Sequence, residues 1–318
     1  MYPTTQDSFL QDKEEKSIFL TGMSGYVGDY VAKFLANSGF SVVGTYRNHF
    51  PSLVDNVFPV CTDFSSPELL AAPLRGVSAV IHLAWEHNFI GASEEDSSSD
   101  SLLTNNLVCL RNLLQAAEKA KVETFIFLSV RGACGQASTG FLFEKYCAEC
   151  LVLNSRIPKK RVLRSSLLVG GPPGQNQFLS TIQKIVQKIP GLYPVPSWKE
   201  PLFPLHIREL VMVLHRMLRN ASTEEGAVFH VKGQTACRIE EIFRLVSDQQ
   251  SGASRIPLPR WMSGWVLRMI ESQLARTQSR SPKIKDFLQA EGAFLGDGLE
   301  VEDPFFSTKK TTLQEIFV

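Results

Sequence analysis

The sequence predicts an α/β fold in which helices cover both faces of a mainly parallel sheet, followed by a smaller C-terminal α/β lobe. Three observations carry this expectation. Strand-like apolar runs alternate with helix-spaced segments over the first two-fifths of the chain, the order that builds a parallel sheet through crossover connections. Those runs are apolar almost throughout, as strands buried on both faces must be. The chain has 318 residues, 44% hydrophobic and 20% charged, enough apolar material for a large core.

Residues 1–16 are polar and acidic and read as a disordered tail, without the basic start and apolar stretch of a secretory signal. The first strand, 17–20, runs into Thr21-Gly22-Met23-Ser24-Gly25-Tyr26-Val27-Gly28. A helix follows over 26–38, with Val27, Tyr30, Val31, Phe34 and Leu35 on one side and Gly39 at its end. This G-x-x-G-x-x-G spacing between strand and helix has a physical use. Gly22 permits the turn off the strand, Gly25 lets backbone N–H groups approach a pyrophosphate, and Gly28 lets the helix pack close to the strand. Thr21, Tyr26 and Val27 share that loop, and the helix N-terminus turns its positive dipole end to the phosphates. The expectation is a bound dinucleotide on a Rossmann-type, doubly wound sheet.

The second strand, 41–46, ends at Thr45-Tyr46-Arg47, with no acid before Asp55. A carboxylate there would bond the ribose 2′-hydroxyl of NAD(H), whereas a guanidinium matches a 2′-phosphate in bidentate fashion. Arg47 therefore predicts NADP(H) as the preferred cofactor, with NAD(H) as the alternative. Third and fourth strands are expected at 58–61 and 79–84, and His82, inside an apolar run, reads as a hydrogen-bonded core residue. An acidic, serine-rich stretch at 93–101 reads as a solvated loop before a helix at 102–120. A fifth strand at 124–128, a helix at 140–154 and a sixth strand at 161–169 follow, stopped by the Gly-Gly-Pro-Pro-Gly break at 170–174.

The nucleotide-binding domain is thus expected over 17–174, and a substrate lobe, interleaved with the same sheet, over 175–318. That part predicts helices at 177–188, 207–219, 239–248 and 261–275, and a strand at 227–231. The stripe of Trp261, Trp265 and Met269 is at helical spacing and is expected to pack on its own domain. A net charge of +1 gives no reason to expect a nucleic acid, and no apolar run is long enough to span a bilayer, so a cytoplasmic protein is expected. Of six cysteines, Cys147 and Cys150 form a C-x-x-C, but within a helix and with no second pair. They read as buried or half-buried helix residues, with no metal expected.

From these residues the chain resembles the extended, atypical short-chain dehydrogenase/reductases, the NAD-dependent epimerase/dehydratase-like family. The resemblance is carried by the T-G-x-x-G-x-x-G loop at Thr21 to Gly28, Asp63-Phe64 after the third strand and Val80-Ile81-His82-Leu83-Ala84. It continues through Asn106 to Leu114, Phe125 to Ser129, Leu163-Arg164 and Gly171-Pro172, and weakly through Phe203 to Arg208. The C-terminal third is most similar to atypical members related to the reductase-like accessory subunit of respiratory complex I. The resemblance implies that Asp63 and Phe64 contact the adenine, and that Leu83, Ala84, Asn106, Ser129 and Lys145 line the cofactor.

The resemblance also exposes departures. The family's proton donor is a Tyr four residues before a Lys, whose charge lowers the phenol pKa. Here the Lys is Lys145 and the Tyr position is Phe141. Tyr146 projects about 100° away around the helix and is a poor substitute. The family's Ser or Thr falls on Val130, while Ser129 comes one residue early and points to the other side. Replacement acids are sought in Glu86, His87, Arg131, Cys134 and His206. Two functions are therefore expected in competition. One is an NADP(H)-dependent oxidoreductase or epimerase-like protein, acting on an unidentified carbonyl or sugar-nucleotide-type molecule with a relocated proton donor. The other is a non-catalytic NADPH-binding sensor or assembly subunit. A homodimer through the helices at 102–120 and 140–154 is compatible with either.

Overall fold

A computed structural model describes residues 16–277 except 48, 52–53, 87–104, 137–139, 172–175, 190, 195–199, 220–226 and 252–255. The expected loop at 93–101 and nearly all of the expected tail lie outside the described residues. The first half of the chain forms β1 (Ser17–Thr21), α1 (Tyr26–Asn37), β2 (Ser41–Tyr46), β3 (Val57–Cys61), β4 (Ala79–His82), α2 (Asn105–Lys119), β5 (Thr124–Val130), α3 (Gly140–Leu153) and β6 (Lys159–Ser165). Then come β7 (Leu168–Val169), α4 (Gln177–Gln187), β8 (Leu192–Tyr193), β9 (Leu205–His206), α5 (Ile207–Arg219), β10 (Ala227–Val231), α6 (Ile239–Ser251), β11 (Ile256–Pro257) and α7 (Arg260–Thr277).

Seven strands form one parallel sheet in the order β10-β6-β5-β4-β1-β2-β3. The order reverses at β1, so the crevice beyond its C-terminal end is where this architecture binds ligands. Alternation along β1 builds two cores. Ile18 and Leu20 pack with Val31 and Leu35 of α1 and with Leu210 and Leu214 of α5. Phe19 faces the opposite layer, with Leu107 and Leu110 of α2 and Val152 of α3. Each such buried side chain contributes about 2 kcal/mol.

Three of the departures from the expected strand ends have a hydrogen-bonding reason. β4 stops at His82 because the Leu83 and Ala84 N–H groups donate to Thr21 Oγ1, at 3.0 and 3.1 Å, instead of continuing the ladder. β5 runs on to Val130 because β6 pairs with it as far as Val130↔Ser165. The expected sixth strand divides: after Ser165 the chain leaves the sheet, and Leu168–Val169 pairs with Leu205–His206 in a separate two-stranded sheet.

The later part of the chain serves two layers. α5 packs on α1, and β10 closes the edge of the large sheet beside β6. A separate core forms from Phe178 and Ile182 of α4, Ile242 and Phe243 of α6, and Leu267 and Ile270 of α7. The expected packing of the tryptophan stripe is corrected here. Trp261, Trp265 and Met269 are 81%, 63% and 42% exposed, while α7 buries Ser263, Leu267 and Ile270. The helix is docked by the face that carries Ser263, Leu267 and Ile270. Among the described residues, no helix is long and apolar enough to cross a membrane.

Candidate functional site

At the C-terminal ends of β1, β2, β4, β5 and β6 lies a cavity of about 750 Å³. Gly22, Gly25, Tyr26, Val27 and Gly28 form its floor. Gly22 adopts φ +73°, and a Cβ there would lie 2.9 Å from the Ala84 backbone. A Cβ on Gly28 would lie 2.1 Å from the Gly22 carbonyl oxygen, so α1 can sit this close to β1 only without one. At Gly25 the nearest atom to such a Cβ is the Gly22 oxygen at 3.3 Å, and the rest of that side is cavity. α1 has no side-chain cap at Gly25, which leaves its first-turn N–H groups for a ligand. The cradle therefore fits a pyrophosphate.

Thr21 does not line the cavity. It is fully buried and fastens β1 to β4. Its Oγ1 accepts from Leu83 and Ala84, so its one proton goes to His82 Nδ1, 2.8 Å away. His82 stacks on Phe127 at 5.7 Å, and burial holds its pKa down at about 3, the neutral ring.

Toward β2 and β3 the wall carries Arg47, His49, Asp63, Phe64 and Ser65. Asp63 accepts from the Ser65 N–H at 3.0 Å and hydroxyl at 2.6 Å, bonds that hold its carboxyl below the usual range. Asn112 fixes the same turn by donating to the Phe64 and Ser65 carbonyls, each at 2.9 Å. Arg47 is ion-paired with Glu86, which follows β4. Asn106 clamps the Glu86 backbone by accepting from its N–H and donating to its carbonyl, both at 2.9 Å.

Toward β5 and β6 the wall includes Val130, Phe141, Ser165, Ser166, Leu167, Leu168, Asn176 and Phe178. Several polar groups on this side are already engaged. Ser166 donates to the Phe203 carbonyl at 2.6 Å, and Asn176 caps α4 by accepting from Leu179 at 3.0 Å. Tyr26 donates to the Gly170 carbonyl at 2.6 Å, and burial pushes its pKa up to about 12.

Lys145 is buried, and the cavity wall does not include it. Its Nζ donates to the Leu128 carbonyl at 3.2 Å and lies 3.8 Å from the Trp85 ring centre and 4.8 Å from that of Phe127. Burial pushes its pKa down to about 7, against the opposing pull of Glu144 and Glu149. Trp85, itself part of the wall, covers the ammonium. Ser129 lies on the other side of β5, where its hydroxyl donates to Glu149. Glu149 also accepts from Arg164 Nε at 2.9 Å and Nη2 at 2.5 Å.

The structure thus gathers Gly22, Gly25, Tyr26, Val27, Gly28, Arg47, Asp63, Phe64, Leu83, Ala84 and Asn106 around one cavity, with Val130 and Phe141 at its far side. It places Thr21, Ser129 and Lys145 behind the wall. Of the replacement acids sought, Glu86 lines the Arg47 side, while Arg131 is buried, Cys134 is exposed and neither lines the cavity. His206 is buried beneath Gly170, and His87 lies outside the described residues. Sequence reasoning missed the Trp85 cover and the Arg47–Glu86 pair. The signals available were the Trp and Glu directly after Ala84, and a cation beyond the second strand.

Residues 18–149 match the NAD-dependent epimerase/dehydratase family. The chain is 23% identical over 274 residues to the mitochondrial NADH dehydrogenase (ubiquinone) 1 alpha subcomplex subunit 9 of Dictyostelium discoideum, covering 83% of this chain and 72% of that protein. It is 29% identical over 110 residues to the ketoreductase adrE of Penicillium roqueforti, spanning 31% of this chain and only 32% of the ketoreductase. Among solved structures, MoeE5 in complex with UDP-glucuronic acid and NAD superposes with a TM-score of 0.59 at 21% identity, over 76% of this chain and 84% of MoeE5. That likeness is one of fold.

Proposed function

We propose that this chain, a relative of the NAD-dependent epimerases and dehydratases, binds a nicotinamide dinucleotide in its cleft and has lost that family's proton-transfer chemistry. The cofactor would serve as a structural or sensing ligand. One observation carries the reading: a complete pyrophosphate cradle faces a wall of Val130 and Phe141, with Lys145 covered by Trp85. A bound nicotinamide supplies hydride chemistry, but a carbonyl beside it needs a proton donor and a polarising hydrogen bond. A phenyl ring and an isopropyl group supply neither. Tyr26 does not replace them, because it gives its proton to Gly170 and is the weaker acid for its burial.

NADP(H) is the cofactor proposed, through a bidentate contact of Arg47 with the 2′-phosphate. An accessory role in a larger assembly agrees with the name of the Dictyostelium relative. A second reading, a reductase with a relocated donor, draws on the name of the Penicillium relative, which this chain matches over only a third of its length. Calorimetric titration with NADPH and NADH, followed by absorbance of the bound reduced cofactor over hours with a panel of aldehydes, ketones and sugar nucleotides, separates the readings. Tight binding without oxidation is expected. Oxidation accelerated by one carbonyl compound would establish the reductase, and no binding of either dinucleotide would overturn both.

A further inference from the structure

We infer that Glu86 sets the cofactor preference of this cleft, by holding Arg47 in an internal ion pair that a 2′-phosphate has to displace. The inference rests on the dinucleotide reading above and adds a residue that opposes Arg47. Its basis is the strand order. β1, which carries the glycine loop, lies between β2 and β4. Arg47 directly follows β2 and Glu86 lies a few residues beyond β4, so their ion pair reaches across the loop, and both residues line the cavity.

The carboxylate is held in place by helix α2. Asn106 fixes the Glu86 backbone on both sides, and Asn105 Nδ2 lies 3.5 Å from Glu86 Oε2. Asp63 is a weaker competitor for the guanidinium, because Oδ1 of its carboxylate is engaged by Ser65. The Arg47 side chain is 51% exposed and that of Glu86 25%, so the pair is reachable from the cavity and open to exchange.

A guanidinium carries one positive charge and a limited set of N–H donors, for which a carboxylate and a phosphate compete. A 2′-phosphate must draw that guanidinium from Glu86 and then sit beside a carboxylate of like charge that repels it. A 2′-hydroxyl carries no charge, leaves the pair intact and can donate to the same carboxylate. Arg47 therefore favours NADP(H), Glu86 disfavours it, and the preference is the difference between the two.

The test uses the full chain as wild type, Glu86→Gln, Arg47→Gln and the double variant. Glutamine keeps the shape and the backbone bonds to Asn106. Adenosine 2′,5′-bisphosphate and 5′-AMP, which differ only in the 2′-phosphate, are titrated by calorimetry alongside NADPH and NADH. Glu86→Gln is expected to tighten the bisphosphate and NADPH about fivefold, the factor a partly exposed ion pair is worth, and to leave 5′-AMP and NADH within about twofold. In the Arg47→Gln background most of the gain should vanish. Unchanged or weaker NADPH and bisphosphate binding by Glu86→Gln, or equal tightening of all four ligands, overturns the inference. If wild type binds neither dinucleotide, the cofactor reading fails, while the mononucleotide pair still decides the role of Glu86. If none of the four binds, both fall.

Discussion

Adding a single methyl group at Gly28 tests the geometry on which the cleft depends. The Cβ of Gly28→Ala would lie 2.1 Å from the Gly22 oxygen and 2.7 Å from both the Gly22 carbonyl carbon and Met23 Cα. An ordinary carbon–oxygen contact is about 3.3 Å or more, so α1 must retreat from β1 by about 1 Å. The obstacle is backbone, so no side chain can turn aside to make room. The retreat loosens Val31 and Leu35, which are fully buried. Overpacking of this kind costs about 3 kcal/mol, offset by about 1 kcal/mol from the better helix propensity of alanine. A net loss of about 2 kcal/mol lowers the melting temperature by roughly 4–8 °C in a domain of this size. Gly25→Val is the contrast. Its Cβ meets the Gly22 oxygen at 3.3 Å and otherwise faces the cavity. It should melt within about 2 °C of wild type yet lose at least about tenfold in NADPH affinity. Circular dichroism melts and NADPH titration read both quantities. A Gly28→Ala protein that melts like wild type, or a Gly25→Val protein that binds NADPH normally, would refute the reasoning.

Other consequences are equally measurable. The folded pKa of Lys145, about 7, is below its value in an unfolded chain, so between that pH and about 10 the unfolded state binds more protons. Stability should therefore rise with pH across this window, and urea denaturation at pH 7 and 9 should show a rise that Lys145→Met abolishes. Because Trp85 covers Lys145, the same variant should leave NADPH affinity within about twofold, and a larger loss would place the ammonium on the cofactor. Arg164→Leu strands the buried Glu149 carboxylate and should cost about 3–5 kcal/mol in denaturant titration, with much of that recovered by adding Glu149→Gln. Phe141→Tyr with Val130→Ser should bind NADPH but still fail to reduce small carbonyls, because the lysine remains behind Trp85; turnover by this variant would show that the covered lysine is no obstacle.

Short-range features were legible without coordinates. The spacing of Gly22, Gly25 and Gly28 defines a turn and a helix start within eight residues, where chain connectivity leaves few conformations. Alternation along β5 was enough to turn Val130 and Ser129 to opposite sides, and a Phe at 141 is non-acidic in any fold. Tertiary structure decided what depends on partners far apart in sequence. The pairing of Arg47 with Glu86 follows from the order β4-β1-β2, which no local pattern encodes. Lys145 has the right register on α3, yet the residue that covers it, Trp85, comes from a strand end sixty residues earlier. Helical spacing marked an apolar stripe at Trp261, but which face of α7 is buried depends on where α4 and α6 stand. Periodicity sets the direction of a side chain relative to its own backbone; what it meets there is set by the packing of other elements.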